Sequence, residues 1–219
     1  MTVWAFVSDV HGNLRALRQA ERFAQAARAD HFIALGDIIG RGDPAGCVAW
    51  VRDHATIAIA GNRDLDYLDH VTPELQAVVL GWPNEATASD FVVSHGDPKL
   101  HRPLNSTAER DAFRRVATLL EERQLRVWFF GHTHRSRCWE LEDESVRAID
   151  PASVTLREGV GYVVNVGTTG LPLPGRGGAA FVLYDDRARR IRSLALDLRS
   201  DRSPDKPYAM ILEAMRGGE

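Results

Sequence analysis

Cysteine is almost absent from this sequence. Its two copies, Cys47 and Cys138, stand far apart and lack a CxxC spacing. That pattern leaves room for at most one buried disulfide. Two reduced, packed thiols are the simpler reading, and they fit a cytosolic protein. No apolar run approaches the roughly 20 residues that a bilayer crossing needs. Residues 1–7 are apolar, but they are too few and lack the basic flank of a signal peptide, so a cytoplasmic location is expected. Basic excess is missing too: the net charge is -3 and the pI about 6.2. A nucleic-acid polymer is therefore a poor candidate partner. A small anionic substrate stays open, because bound metal ions would supply their own positive charge. Low-complexity tracts, internal repeats and long linkers are also absent. With 44% hydrophobic and 26% charged residues, what is present is an ordinary globular chain able to bury a substantial core.

The first half repeats one rhythm: an apolar run, a short polar or glycine-containing turn, then an amphipathic stretch. Strands are expected at residues 3–7 (VWAFV), 31–35 (HFIAL), 56–60 (TIAIA), 91–94 (FVVS) and 127–130 (VWFF). Leu14, Leu17, Ala20, Phe23 and Ala24 recur at helical spacing. A short helix is expected over 44–51, opening on Pro44, and a long one over 107–124. The second half has few helices. Runs at 136–141, 161–166, 179–184 and 191–198 read as strands of a second sheet packed on the first. One domain over residues 1–199 is the economical division, with a tail over 200–219 that carries a short helical pattern at 208–215.

Metal-capable side chains fall where these strands end. Asp9-Val10-His11 follows the first strand, Gly36-Asp37 the second and Gly61-Asn62 the third. His95-Gly96 follows the fourth, and Gly131-His132-Thr133-His134 the fifth. In an open α/β sheet the loops at the carboxyl ends gather on one edge, so the five clusters converge if their strands share a sheet. Taken singly, each has a structural reading: Asp-x-His arises by chance, and a lone histidine at a strand end often caps or fills a core. Their ordered recurrence points to a metal centre. Two carboxylates, one carboxamide and four imidazoles suit manganese, iron, zinc or nickel better than magnesium or calcium. Seven ligands exceed one tetrahedral zinc but fit two ions sharing a carboxylate and a bridging hydroxide aimed at phosphorus.

These motifs resemble those of the calcineurin-like metallophosphoesterase superfamily: Asp9-Val10-His11-Gly12-Asn13, Gly36-Asp37 through Gly42, Gly61-Asn62-Arg63-Asp64, Ser94-His95-Gly96 and Gly131-His132-Thr133-His134. Asn165-Val166-Gly167-Thr168 looks like the Asn-Pro-Gly-Ser turn of its small bacterial and archaeal phosphodiesterase-type members. The resemblance implies an α/β fold, a four-layer αββα sandwich of two mixed sheets flanked by helices. It also implies two divalent transition metal ions, manganese first. One would take Asp9, His11, Asp37 and His134; the other would take Asp37, Asn62, His95 and His132.

By the same resemblance, Asp37, Asn62, Arg63 and His132 are the catalytic candidates, and Asn13, Arg41 and Arg63 the substrate-binding ones. Arg63 stands where the superfamily commonly has histidine. Arginine cannot serve as a general acid at neutral pH but can clamp an anionic oxygen. Hydrolysis of a small phosphodiester is the expected activity. A phosphomonoesterase, a dinucleoside polyphosphate hydrolase and a non-catalytic scaffold are the alternatives, and a homodimer is open. Arg176, in a glycine- and proline-rich loop, is a weaker substrate contact. His31, His54, His70 and His101 lie outside the motifs and read as structural or surface residues.

Overall fold

The computed structural model describes residues 2–96, 108–143 and 145–198. The expected helical pattern at 208–215, His101 and the tail over 200–219 lie outside these residues. Among the described residues, seventeen helices and strands carry the fold. The first is β1 (Val3–Val7), whose five residues are all buried, as an unbroken apolar run requires of a strand covered on both faces. Then come α1 (Leu14–Ala26), β2 (His31–Ala34), α2 (Pro44–His54), β3 (Ile57–Ala58), α3 (Asn62–Asp66) and α4 (Pro73–Leu80). A one-turn 3₁₀ segment (Leu68–His70) separates α3 from α4. Next are β4 (Glu85–Ala88), β5 (Phe91–Ser94), α5 (Ala108–Glu122), β6 (Val127–Phe130), β7 (Ser136–Glu142) and β8 (Ser145–Ile149). The last four are β9 (Val154–Thr155), β10 (Gly161–Val166), β11 (Ala179–Asp185) and β12 (Arg190–Leu196).

Two six-stranded mixed sheets result, in the orders β3-β2-β1-β11-β12-β9 and β4-β5-β6-β10-β7-β8. Three separate hydrophobic cores establish a layered arrangement, because four layers need three interfaces. One joins the outer face of the first sheet (Ala5, Val7, Phe181) to α1, α2 and α4 through Leu17, Val48 and Val79. A second lies between the sheets, where Phe6 stacks on Phe129 with ring centroids 4.1 Å apart and Phe91 meets both edge-on. The third joins Val92, Trp128 and Phe130 to Phe113, Val116 and Leu120 of α5. The αββα sandwich expected of the sequence is therefore present.

Three expectations need correction. The halves of the chain do not map onto the two sheets. β5 and β6 pair with each other and β6 with β10, whereas β11 and β12 return to the sheet of β1. Accordingly the five ligand-bearing strands do not share a sheet: β1, β2 and β3 lie in one, β5 and β6 in the other. Both sheets direct their carboxyl ends to one place, so the clusters still converge. The third strand shrinks to two residues, because Ala60 N–H donates to the Pro83 carbonyl rather than continuing the ladder. Finally, β4, β8 and β9 were not foreseen. All are edge strands with mixed exposure, lacking the apolar run that marks a buried strand.

The cysteines are both free and buried, Cys47 beside α1 and Cys138 between the sheets. Burial pushes each thiol up to about 12, which makes both poor nucleophiles. No described helix is long and apolar enough to cross a membrane.

Candidate active site

Tight turns at the strand ends aim the candidate side chains. Asp9, His11, Asp37, His132 and His134 all have positive φ, between 49° and 67°. The left-handed region is costly for residues with a Cβ, and it persists where surrounding contacts over-determine it. Those contacts are on hand: Asp9 N–H donates to Gly36 O, and His11 N–H to Asp37 O at 2.9 Å. Glycine is required where the turns touch. A Cβ on Gly36, itself at φ 85°, would lie 2.5 Å from Gly61 N and 2.9 Å from His95 Nδ1.

Six of the seven expected metal ligands assemble into two groups, Asp9-His11-His134 and Asp37-His95-His132. In the first, His134 Nε2 lies 3.1 Å from Asp9 Oδ1, and His11 Nε2 lies 3.2 Å from His134 Nε2. In the second, His95 Nε2 lies 3.4 Å from Asp37 Oδ1 and 3.2 Å from His132 Nδ1. Asp37 spans the two groups, its Oδ2 being 3.7 Å from His11 Nε2. Asn62, the seventh, is an exposed residue at the start of α3 and lines the same cavity as Asp37.

The groups suit divalent ions. Asp9 Oδ1 is buried without a hydrogen-bond partner, an arrangement that ordinarily carries a desolvation penalty. His134 Nδ1 donates to the Leu171 carbonyl at 2.7 Å, and His95 Nδ1 to the Leu35 carbonyl at 2.6 Å. With Nδ1 committed in this way, each ring would offer Nε2 to an ion that displaced its proton, the usual arrangement behind a metal-binding imidazole.

Electrostatics agree. Burial alone would raise the Asp9 carboxyl, but the neighbouring His11 and His134 rings hold it well below the carboxylate range. Burial would likewise depress His95, yet bonding to Asp37 and the Asp9 charge lift it to about 9. His134 is also raised against burial by the Asp9 carboxylate beside it. His132 is lowered by burial and by the charge of His95. The carboxylates thus create a field that retains protons where a cation would be welcome.

A supporting layer holds these groups. Asp64 is fully buried and accepts from Ile38 N–H and Ile39 N–H at 2.7 and 2.8 Å and from Gly61 N–H at 2.9 Å. It ties the Asp37 loop to the Asn62 loop. Burial raises its carboxyl to about 6, against the pull of those N–H donors. Arg63 N–H donates to Asp37 Oδ1 at 2.8 Å. Asn165 donates to Gly131 O and Thr133 Oγ1, Ser8 Oγ donates to Asp9 Oδ2, and His132 N–H donates to the same oxygen. Sequence reasoning assigned no role to Asp64 or Ser8. Their signal was faint: a carboxylate two residues after Asn62, and a hydroxyl just before Asp9.

The remaining candidates are more loosely held. Asn13 caps α1 by accepting from Ala16 N–H at 3.0 Å and donates to Gly170 O at 3.0 Å, so both ends of its amide are engaged within the protein. Arg41 is exposed on the cavity rim. Arg63 turns its guanidinium toward Asp66, at 3.2 Å, and over the Tyr67 ring. Arg176 donates to Thr133 O at 2.9 Å. His31 stacks on Trp4 and His54 on Trp50, as structural residues do. His70 is a surface residue, as expected, and the 3₁₀ turn carries it to the cavity wall.

A family model for the calcineurin-like phosphoesterase superfamily domain matches residues 1–187. The chain belongs to that superfamily, whose members are metal-dependent phosphoesterases. Among proteins of known sequence it resembles the uncharacterized protein MJ0912 of Methanocaldococcus jannaschii, with 22% identity over 88% of this chain and 86% of that one. Among solved structures it resembles a metallophosphoesterase from Sphaerobacter thermophilus, with a TM-score of 0.73 and 24% identity over 90% of each chain. A solved archaeal phosphodiesterase shares the fold, with a TM-score of 0.55 and 16% identity over 89% of this chain and all of that one.

Proposed function

We propose that this protein is a phosphodiesterase for small substrates, working with two divalent transition metal ions. One observation carries the reading: Asp37 joins two clustered ligand groups at the floor of a cavity of about 880 Å³. Asp9, His11, Asp37 and His134 would hold one ion, and Asp37, Asn62, His95 and His132 the other. Ions there, manganese first, would supply Lewis acidity and an activated water for attack on phosphorus.

The chain's own residues divide the remaining work. Asp37 sets the spacing of the two groups, with the Arg63 backbone N–H fixing its carboxylate. The backbone carbonyls of Leu35 and Leu171 set the tautomers of His95 and His134. Arg41 and Arg63 bring positive charge to the rim, which favours an anionic substrate. At position 63 no side chain can give a proton to the leaving oxygen, so substrates with good leaving groups should react best.

A diester fits better than a monoester because the cavity exceeds the needs of a phosphoryl group and includes apolar wall from Tyr67 and Leu171. The shared fold of the archaeal phosphodiesterase is in keeping with this reading. The test is hydrolysis of bis-nitrophenyl phosphate and nitrophenyl phosphate by metal-stripped protein with and without Mn²⁺. Metal-dependent turnover favouring the diester is expected. Faster turnover of the monoester would move the assignment to a phosphomonoesterase.

A further inference from the structure

The turn that carries His132 and His134 is held from outside the cavity as well as from within. Both residues have left-handed backbone, at φ 67° and 59°, so the turn needs contacts that keep it there. Thr133 stands between them and makes three. Its N–H donates to Gly131 O at 2.7 Å, its Oγ1 accepts from Asn165 Nδ2 at 2.8 Å, and its carbonyl accepts from the Arg176 guanidinium at 2.9 Å. Arg176 belongs to a strap, residues 171–177 (LPLPGRG), between the end of β10 and the start of β11. The root of the strap is well seated: Asn13 donates to Gly170 O, Gly170 N–H donates to Asp9 O, and Leu171 O accepts from His134 Nδ1. Farther on, Pro172 and Pro174 have no N–H to give, and Gly175 and Gly177 turn the chain at φ 72° and 99°. Among the described residues, the Arg176 guanidinium makes the one hydrogen bond that returns residues 172–177 to the body of the protein.

We infer that Arg176 is a positioning residue: it latches the strap onto the Thr133 carbonyl, so that the strap and the His132–His134 turn hold each other in place. This role rests on reading the two ligand groups as metal sites. Arg176, expected from the sequence as a substrate contact, is not among the residues that line the cavity, whereas Leu171 and Leu173 of the same strap are. Its guanidinium therefore acts on the turn, and its strap presents the apolar wall. Arginine suits the task, because its long stem spans the gap and its charged, planar fork gives a strong, directed bond to a carbonyl. Charge and geometry make opposite demands here. A nearby cation repels metal ions, so losing it would tighten their binding. A latch that shapes the ligand turn favours them, so losing it would weaken their binding.

The test compares the full chain with its Arg176→Ala variant, first free of metal. Hydrogen exchange read by mass spectrometry should quicken in a peptide over the strap and also in one over residues 131–136. Quickening confined to the strap would overturn the latch. Titration with Mn²⁺ follows. Arg176→Ala should weaken metal retention about tenfold, the low end of the range for residues that orient metal ligands. Unchanged or tighter retention would overturn the role, since the arginine would then act as a bystander or as a bare charge. With bis-nitrophenyl phosphate at saturating Mn²⁺, KM should rise more than kcat falls, because Leu173 loses its place in the wall. A fall in kcat alone would set Arg176 among the reacting groups and equally overturn it. Arg187→Ala, an exposed arginine beyond the far end of β11, should change none of these. If the unaltered protein retains no Mn, Fe, Zn or Ni, the metal reading fails instead. Exchange over residues 131–136 then decides the latch alone: quickened in Arg176→Ala it stands, unchanged it falls.

Discussion

The floor and the wall of the cavity are built on opposite principles. On the floor, Asp9, Asp37, His95 and His134 are buried, and each is tied to backbone or to a neighbouring polar group. Five floor residues accept left-handed backbone to point inward. On the wall, Arg41, Arg63, Tyr67 and His70 are exposed; Arg63 meets Asp66 and Tyr67, and Tyr67 meets His70, all close along the chain. In the proposed function a fixed floor would set the reaction, because placement of metal and water tolerates little error. A loosely held wall can set which ester is accepted without disturbing that placement.

This contrast can be broken or sharpened by substitution. The largest effect is expected from Asp37→Ala, which removes the carboxylate that the proposed function shares between both groups. Turnover should fall by more than the roughly 100-fold that loss of a supporting residue costs, and metal titration should show fewer than two ions retained. A variant with half the normal activity would refute the shared role. Asp64→Asn comes next. An amide cannot accept from Ile38, Ile39 and Gly61 at once with its nitrogen facing an N–H. Activity should therefore drop roughly 10- to 100-fold, with about 1–3 kcal/mol lost in urea unfolding. Unchanged kinetics would show that the two loops hold their places without it.

Metal saturation ranks third. Ions that bind only the folded chain should stabilise it by about 2.7 kcal/mol at a concentration 100 times Kd, and a chelator should reverse the shift in Tm. Absence of any shift would count against a metal-binding floor. The smallest effect belongs to Arg63→Ala. With its guanidinium on Asp66 in an exposed pair, stability should change by less than about 1 kcal/mol. Turnover of a diester with a good leaving group should fall less than about tenfold. A loss comparable to that of Asp37→Ala would place Arg63 on the floor.

The same contrast explains what could be read in advance. Floor residues announce themselves because a carboxylate or an imidazole recurs where one apolar strand after another ends. Asp9, His11, Asp37, His95, His132 and His134 were legible for that reason, and β1, β5 and β6 with them. Tyr67 and His70 were not, since a tyrosine and a histidine after a five-residue helix carry no pattern until the chain turns back. Strand order was equally hidden. β10 and β11 are both apolar runs, and only long-range pairing decides that one joins β6 and the other β1. The edge strand β4 reads EATA, a segment whose pairing with β5 no local preference foretells.

Each ligand group draws on both sheets. Asp9 and His11 follow β1 while His134 follows β6; Asp37 follows β2 while His95 and His132 follow β5 and β6. Neither group could exist on one sheet alone, so the stacked rings of Phe6 and Phe129 act as a spacer that gauges the distance across which the ligands meet. Trimming that spacer with Phe129→Leu would let the sheets settle closer and disturb both groups together, although no ligand had been touched. The spacing of the candidate ligand side chains is in this sense inherited from the thickness of an oil layer several residues below them.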